Sequence, residues 1–85
     1  MEMCRLLNLE AFLRQEIVEG LENNNFAQIA FYATLRANLN NYQALSIDDV
    51  KELINDVTNN VVYGMYEETE KKAVEAAKIR TLYYI

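Results

Sequence analysis

The stretch FAQIAFYATLRANL, residues 26–39, decides the fold of this chain. It predicts a helix with apolar side chains on almost every side and with Arg36 as its single charge. A helix of this kind is usually buried on more than one side, so we expect it at the centre of a bundle, where a second chain can also cover part of it. Asn25 is a favourable N-cap, and Gln28 three residues later predicts a capping box. One face at helical spacing comprises Phe26, Ile29, Ala30, Ala33 and Ala37.

The residues before this stretch predict a first helix that ends at Glu22. It begins at either Glu2 or Leu9, because Asn8 is an alternative N-cap. Gly20 falls within its apolar stripe, and either a close helix–helix approach or fraying of the helix end accounts for it. Only three asparagines separate this helix from the next, so the two helices should pack antiparallel. The stripe comprises Leu6, Leu9, Leu13, Ile17 and Leu21.

A third helix has the clearest start in the chain. Ser46 is its predicted N-cap, Asp49 completes a capping box, and Leu45 can pack on Val50 as a hydrophobic staple. Residues 40–45 form the preceding loop. The apolar stripe of this helix comprises Ile47, Val50, Ile54, Val57, Val61 and Met65.

The stripe fails after Met65, where Glu68 and Lys72 would hold its next positions on an unbroken helix. Either the helix breaks or kinks between Tyr66 and Lys72, or one long helix continues past the bundle and packs on something else. Gly64 is the one strong breaker there, and the acid-to-base pair Glu68–Lys72 favours helix, so we predict a continuous or gently kinked helix. A second apolar line, a quarter turn away, comprises Val62, Tyr66, Thr69, Ala73 and Ala77.

These patterns predict an all-α fold, a small helical bundle in one domain over residues 1–85. An antiparallel helical hairpin is followed by a long third helix that is continuous, kinked or split. Residues 79–85, IRTLYYI, form either the last helical turn or a short strand. A chain of this length buries only about 60–65% of its unfolded surface, so an oligomer interface is expected to add stability.

The composition argues against an enzyme and against bound cofactors or metals. The chain has no histidine, which removes the commonest general base and metal ligand, and its two glycines are too far apart for a phosphate loop. Cys4 cannot form an internal disulfide, which indicates a reducing cytoplasm, and we expect it to act as a small apolar side chain. We expect neither a signal peptide nor a membrane-spanning segment.

The net charge of −5 is unevenly distributed, with −6 over residues 48–70 and +3 over residues 71–85. This acidity argues against direct binding of nucleic acid. The acidic face of a continuous third helix is either a solvated surface or a partner-binding row of carboxylates that imitates phosphates. The candidate partner-binding residues are Asp48, Asp49, Glu52, Asp56, Tyr63, Glu67 and Glu70.

The basic end of the chain pairs more plausibly with acids than with nucleic acid. Its four cations, Lys71, Lys72, Lys78 and Arg80, are diluted by nearby glutamates, and we expect them to meet acids of another helix or of a second protomer, around residues 48–56. Paired changes Ala73→Glu and Ala77→Glu should then disrupt a dimer. The candidate oligomer contacts are Val62, Tyr66, Ala73, Ala77, Tyr83 and Tyr84.

Three classes of function remain after these exclusions. The favoured prediction is a non-catalytic protein–protein interaction or regulatory module, acting as a homo-oligomer, most simply a homodimer. The second is a small acidic inhibitor of a nucleic-acid-handling enzyme, by analogy of size and charge with the anti-defence proteins of phages. An enzyme comes third, because its chemistry would have to come from carboxylates, tyrosines or Cys4 alone.

Overall fold

A computed structural model describes residues 3–39 and 46–85 of the chain, and these residues form four helices. The helices are α1 (Met3–Glu22), α2 (Phe26–Leu39), α3 (Ile47–Tyr63) and α4 (Glu68–Tyr84). The predicted all-α class is confirmed. The predicted staple from Leu45 and the predicted loop at 40–45 lie outside the described residues.

Helix α2 is the centre of the bundle, as predicted, because it contacts α1, α3 and α4. The face that holds Phe26, Ala33 and Ala37 lies mostly at the surface, and Phe26 is 71% exposed. The opposite face holds the larger side chains, and burying it removes more apolar area from water than burying alanines. Its buried residues are Ala27, Gln28, Phe31, Tyr32, Leu35 and Leu39.

The turn between α1 and α2 depends on a close approach at Gly20. A Cβ atom added there would lie 2.9 Å from Cγ1 of Ile29, so close helix packing explains this glycine and fraying does not. Asn25 caps α2, since its Oδ1 accepts the N–H of Gln28 at 3.1 Å. The predicted capping box does not form, because the N–H of Asn25 donates to the carbonyl of Gly20 at 2.8 Å.

Helix α3 begins with the predicted capping box. The Ser46 hydroxyl accepts the N–H of Asp49 at 3.1 Å, and the Asp49 carboxylate accepts the N–H of Ser46 at 3.2 Å. Along the predicted stripe, Val50, Ile54 and Val57 are buried. The stripe therefore faces the core as expected.

The prediction of a continuous or gently kinked third helix was wrong, because residues 64–67 separate α3 from α4. The N–H of Gly64 bonds to carbonyls of the last turn of α3, and Glu67 is extended. Met65 packs against the core within this turn. The turn brings α4 back onto α2 and α3, and burial of Val74 and Ala77 in the core offsets the lost helical hydrogen bonds.

The first and last helices also resolve alternatives that the sequence left open. Helix α1 runs unbroken through Asn8, and Leu6, Leu9 and Leu13 of its stripe are buried, whereas Leu21 is 60% exposed. Helix α4 continues to Tyr84, which excludes a strand over 79–85.

Candidate interaction surfaces

Helices α1 and α4 meet through long side chains, since their Cα atoms stay more than 8 Å apart. The Tyr84 hydroxyl donates to the carbonyl of Asn8 at 3.2 Å, and the ring of Tyr84 stacks on Phe12 with centroids 4.3 Å apart. Further along, Arg80 forms an ion pair with Glu16 at 3.4 Å. Residues later in α1 contact residues earlier in α4, so the two helices run antiparallel.

A shallow cavity of about 380 Å³ opens on this interface, and its lining is almost wholly apolar. Ile79 is 64% exposed and Tyr83 is 93% exposed, one helical turn apart on α4. Exposed apolar side chains scattered singly are ordinary, whereas a group around a cavity indicates a contact surface. The cavity is lined by Phe12, Ile79, Arg80, Tyr83 and Tyr84.

The structure divides the predicted oligomer contacts between the core and the surface. Ala77 is fully buried, and Val62 and Ala73 pack partly buried against the same core. Charged residues at positions 73 and 77 would therefore damage the fold itself, so that pair of changes does not report on a dimer. Tyr66, Tyr83 and Tyr84 are exposed, but Tyr66 lies in the turn between α3 and α4, away from the other two.

The predicted acidic row is divided by the same turn. Asp48, Asp49, Glu52 and Asp56 are exposed on α3, and Asp49 also serves in the capping box. Tyr63 is exposed at the end of α3, whereas Glu67 and Glu70 lie at the start of α4. The candidate partner-binding residues thus form two groups and not one helical face.

The basic residues of α4 pair in part as predicted, because Arg80 meets an acid of another helix, although not one of residues 48–56. Arg80 binds Glu16 of α1, and Lys71 lies 3.6 Å from Glu68 within its own helix. Over the described residues, neither cation reaches the acids of 48–56. The expected bond from Glu68 to Lys72 is replaced by this bond to Lys71.

Two further cavities lie at the ends of the bundle. One, of about 330 Å³, is lined by both apolar and polar side chains, including Arg5, Leu9 and Ile85. The other, of about 580 Å³, joins the α1–α2 turn to the start of α4 and includes Phe26, Glu67 and Glu70. The carboxylates of the second cavity lie at a helix N-terminus, where the helix dipole alone favours acidic residues.

A buried hydroxyl network fixes α4 on α2. The Tyr32 hydroxyl donates to the carbonyl of Ala77 at 3.1 Å. The Thr81 hydroxyl lies 2.8 Å from the same carbonyl and 3.3 Å from the Tyr32 hydroxyl. Burial raises the pKa of the Tyr32 phenol, and the hydrogen bond from Thr81 partly opposes that rise. Every buried side-chain polar atom in the described residues has a hydrogen-bond partner, so the network leaves no buried hydroxyl unsatisfied.

Cys4 is a free cysteine and is exposed. Its Sγ lies 3.9 Å from the amide nitrogen of Asn8. Within residues 3–39 and 46–85, no group of acidic or cysteine side chains is arranged to hold a metal ion. None of the helices in these ranges is both long and apolar enough to span a membrane.

No protein-family model matches this chain, and no curated protein or solved structure matches it significantly.

Sequence reasoning missed the α1–α4 cavity. Ile79 and Tyr83 are four residues apart, so the sequence indicates that they share one side of a helix. Whether that side faces solvent depends on which side of α4 faces the core. That side is set by the turn at 64–67, which the sequence pattern left ambiguous. Phe12 was not singled out, because its contact with Tyr84 joins residues more than 70 positions apart.

Proposed function

We propose that this chain is a non-catalytic protein-interaction module that acts as a homodimer in the cytoplasm. The observation that carries the proposal is the exposed pair Ile79 and Tyr83 beside the half-buried Phe12 at the α1–α4 interface. A chain this short gains stability when such a group is covered by a second copy. The free and exposed thiol of Cys4 supports a reducing compartment.

The mass of the chain in solution tests this proposal. Light scattering after size exclusion, over a range of concentrations, should give a mass that rises toward twice the 9.9 kDa of one chain. Tyr83→Asp should shift the mass toward the monomer, because it places a charge in the apolar contact. Tyr63→Asp is the matched control, since Tyr63 is 92% exposed and Tyr83 is 93% exposed. A wild-type chain that stays monomeric at every concentration would refute self-association.

The acidic inhibitor remains the second candidate, and the exposure of Asp48, Glu52 and Asp56 on α3 favours it. These carboxylates follow one another at about 6 Å along the helix axis, at about 1.5 Å of rise per residue. Such a row suits a basic groove on another protein, by charge complementarity. Reversal of both Glu52 and Asp56 to lysine should abolish inhibition of a nucleic-acid-handling enzyme while the helical circular dichroism persists. Inhibition that survived the reversal would exclude the imitation of phosphates.

A further inference from the structure

The outward face of α4 carries a stripe of residues with heptad spacing. Its members recur at alternating steps of three and four residues, like the a and d positions of a coiled coil. All five are exposed, whereas Val74 and Thr81 on the opposite side of the helix are buried in the bundle. Over two heptads this pattern drifts by only about 20° per heptad, so it stays on one face. The stripe comprises Thr69, Lys72, Ala76, Ile79 and Tyr83.

Charges of opposite sign flank this stripe. Successive residues of a helix differ by about 100° in direction, so Glu75 lies about 80° to one side of the stripe's centre line and Arg80 about 60° to the other. Both side chains are exposed, and Glu75 forms no ion pair within the described residues. The stripe therefore has an acidic side and a basic side.

The symmetry of a helix pair decides whether these two charges meet. In an antiparallel pair the two-fold axis crosses the helices at right angles and keeps each residue on its own side, so Glu75 never faces Arg80. In a parallel pair the two-fold axis runs along the helices and exchanges the sides. Glu75 of each copy then faces Arg80 of the other, so charge complementarity favours a second copy in the parallel direction.

The positions of the two charges in the heptad fit this arrangement. Glu75 precedes Ala76 and Arg80 follows Ile79, so they hold the g and e positions, whose ion pairs set the orientation of coiled coils. Five residues separate them by about 7.5 Å along the axis, which two long side chains can span. Within the stripe, Ala76, Ile79 and Tyr83 each meet the same residue of the second copy, and this contact removes apolar surface from water.

Lys72 is the one charge inside the stripe. It lies about 20° from the centre line on the acidic side, and the two copies exchange sides, so their ammonium groups lean apart. Each leans toward Glu68 and Glu75 of its own helix, four residues before and three residues after it. A single polar residue at a core position specifies the register of a coiled coil at a cost in stability.

Arg80 is available for this contact although it already binds Glu16. Only its Nη2 atom is used at 3.4 Å, and its side chain remains 45% exposed. A guanidinium has five N–H donors in a fixed fork, so one edge can hold Glu16 while another reaches Glu75 of a second copy.

We propose that two copies of this chain pair in the parallel direction through the outward face of α4, with Glu75 of each copy against Arg80 of the other. This inference rests on the homodimer proposed above and names its surface and its direction. The pairing covers Ile79 and Tyr83, which line the cavity at the α1–α4 interface.

Cysteine crosslinking tests the direction. In a chain that carries Cys4→Ser, the variants Ala76→Cys and Ile79→Cys should each form a disulfide with their own copy under mild oxidation, because a parallel pair sets every residue of the stripe against itself. Glu22→Cys, at an exposed position of α1, is the control and should stay uncrosslinked. The readout is a denaturing gel without reductant. Crosslinking of only one of the two α4 variants, or only in their mixture, would overturn the parallel direction.

Charge reversal tests the ion pair. Glu75→Arg and Arg80→Glu each oppose like charges twice in their own homodimers, so each alone should dimerise roughly tenfold or more weakly than the wild type. An equal mixture of the two should recover a dimer, because one favourable pair replaces the repulsion on one side and the other side opposes the unchanged pair of reversed residues only across the seam. Glu22→Arg makes the same charge change on α1 and should keep the wild-type mass.

Light scattering and circular dichroism separate the outcomes. A folded Glu75→Arg variant that dimerises as tightly as the wild type would overturn the ion pair but keep the homodimer. If Arg80→Glu does not fold, Glu75→Arg and the two cysteine variants still decide. A wild-type chain that stays monomeric would overturn both this inference and the homodimer.

Discussion

Replacement of Tyr32 by phenylalanine tests the polar contact that joins α2 to α4. The hydroxyl is fully buried and donates to the carbonyl of Ala77 at 3.1 Å. Its removal leaves no buried group without a partner, because the Thr81 hydroxyl still reaches that carbonyl at 2.8 Å. The cost is therefore that of one net hydrogen bond, about 0.5–1.5 kcal/mol of unfolding free energy. For a domain of this size, each 1 kcal/mol lowers Tm by about 4–8 °C.

The same substitution changes how stability depends on pH. Burial raises the pKa of the Tyr32 phenol in the folded chain above its ordinary value of about 10. Above that ordinary value, the folded chain binds more protons than the unfolded chain, so stability falls as pH rises. Below it, the contribution of Tyr32 is fully present. Tyr32→Phe should remove this part of the alkaline loss.

Thermal unfolding followed by circular dichroism at pH 7 and above pH 10 measures both effects. Tyr63→Phe is the control at pH 7, because its hydroxyl is at the surface and its loss should leave the stability there unchanged. The reasoning is refuted if Tyr32→Phe matches the wild type at pH 7 and keeps the same alkaline slope. A loss well above 2 kcal/mol would also contradict it, because that would indicate a buried group left unpaired.

Three further substitutions test the local structure, all by urea unfolding. Gly20→Ala should lower the unfolding free energy by up to about 2 kcal/mol, since overpacking against Ile29 at 2.9 Å outweighs a gain of about 1 kcal/mol in helix propensity. Gly64→Ala, whose new Cβ would meet only the carbonyl of Val61 at 3.6 Å, should stay within about 0.5 kcal/mol of the wild type, and equal effects of the two would contradict the close approach. Ser46→Ala should cost about 1 kcal/mol through loss of the capping box, and unchanged stability would argue against that role.

Local signals predicted the parts of the fold that local chemistry determines. The cap at Ser46 and the stripe from Val50 to Val57 both follow from spacing within one helix, and both are confirmed. The central position of α2 followed from its apolar composition alone. Its buried face did not, because a helix that is apolar on every side has no pattern to distinguish the two faces. The volumes of Phe31 and Tyr32 decided between them.

The turn at 64–67 could not be predicted from local preferences. Gly64 and the failure of the stripe after Met65 pointed toward a break, while the ion pair at Glu68 favoured helix. The ion pair of Glu68 lies within α4, so it stabilises α4 without favouring helix in the residues that precede Glu68. The break is instead favoured by distant burial, since folding back places Val74 against the common core.

That turn also decides which residues a second copy can reach. Successive residues on a helix differ by about 100° in direction, so an error of one residue moves a side chain from the core toward solvent. The predicted contacts included Ala77, which the core buries completely, whereas its neighbour Ala76 is exposed. A surface inferred from periodicity alone therefore needs the direction of the core before its residues can be named.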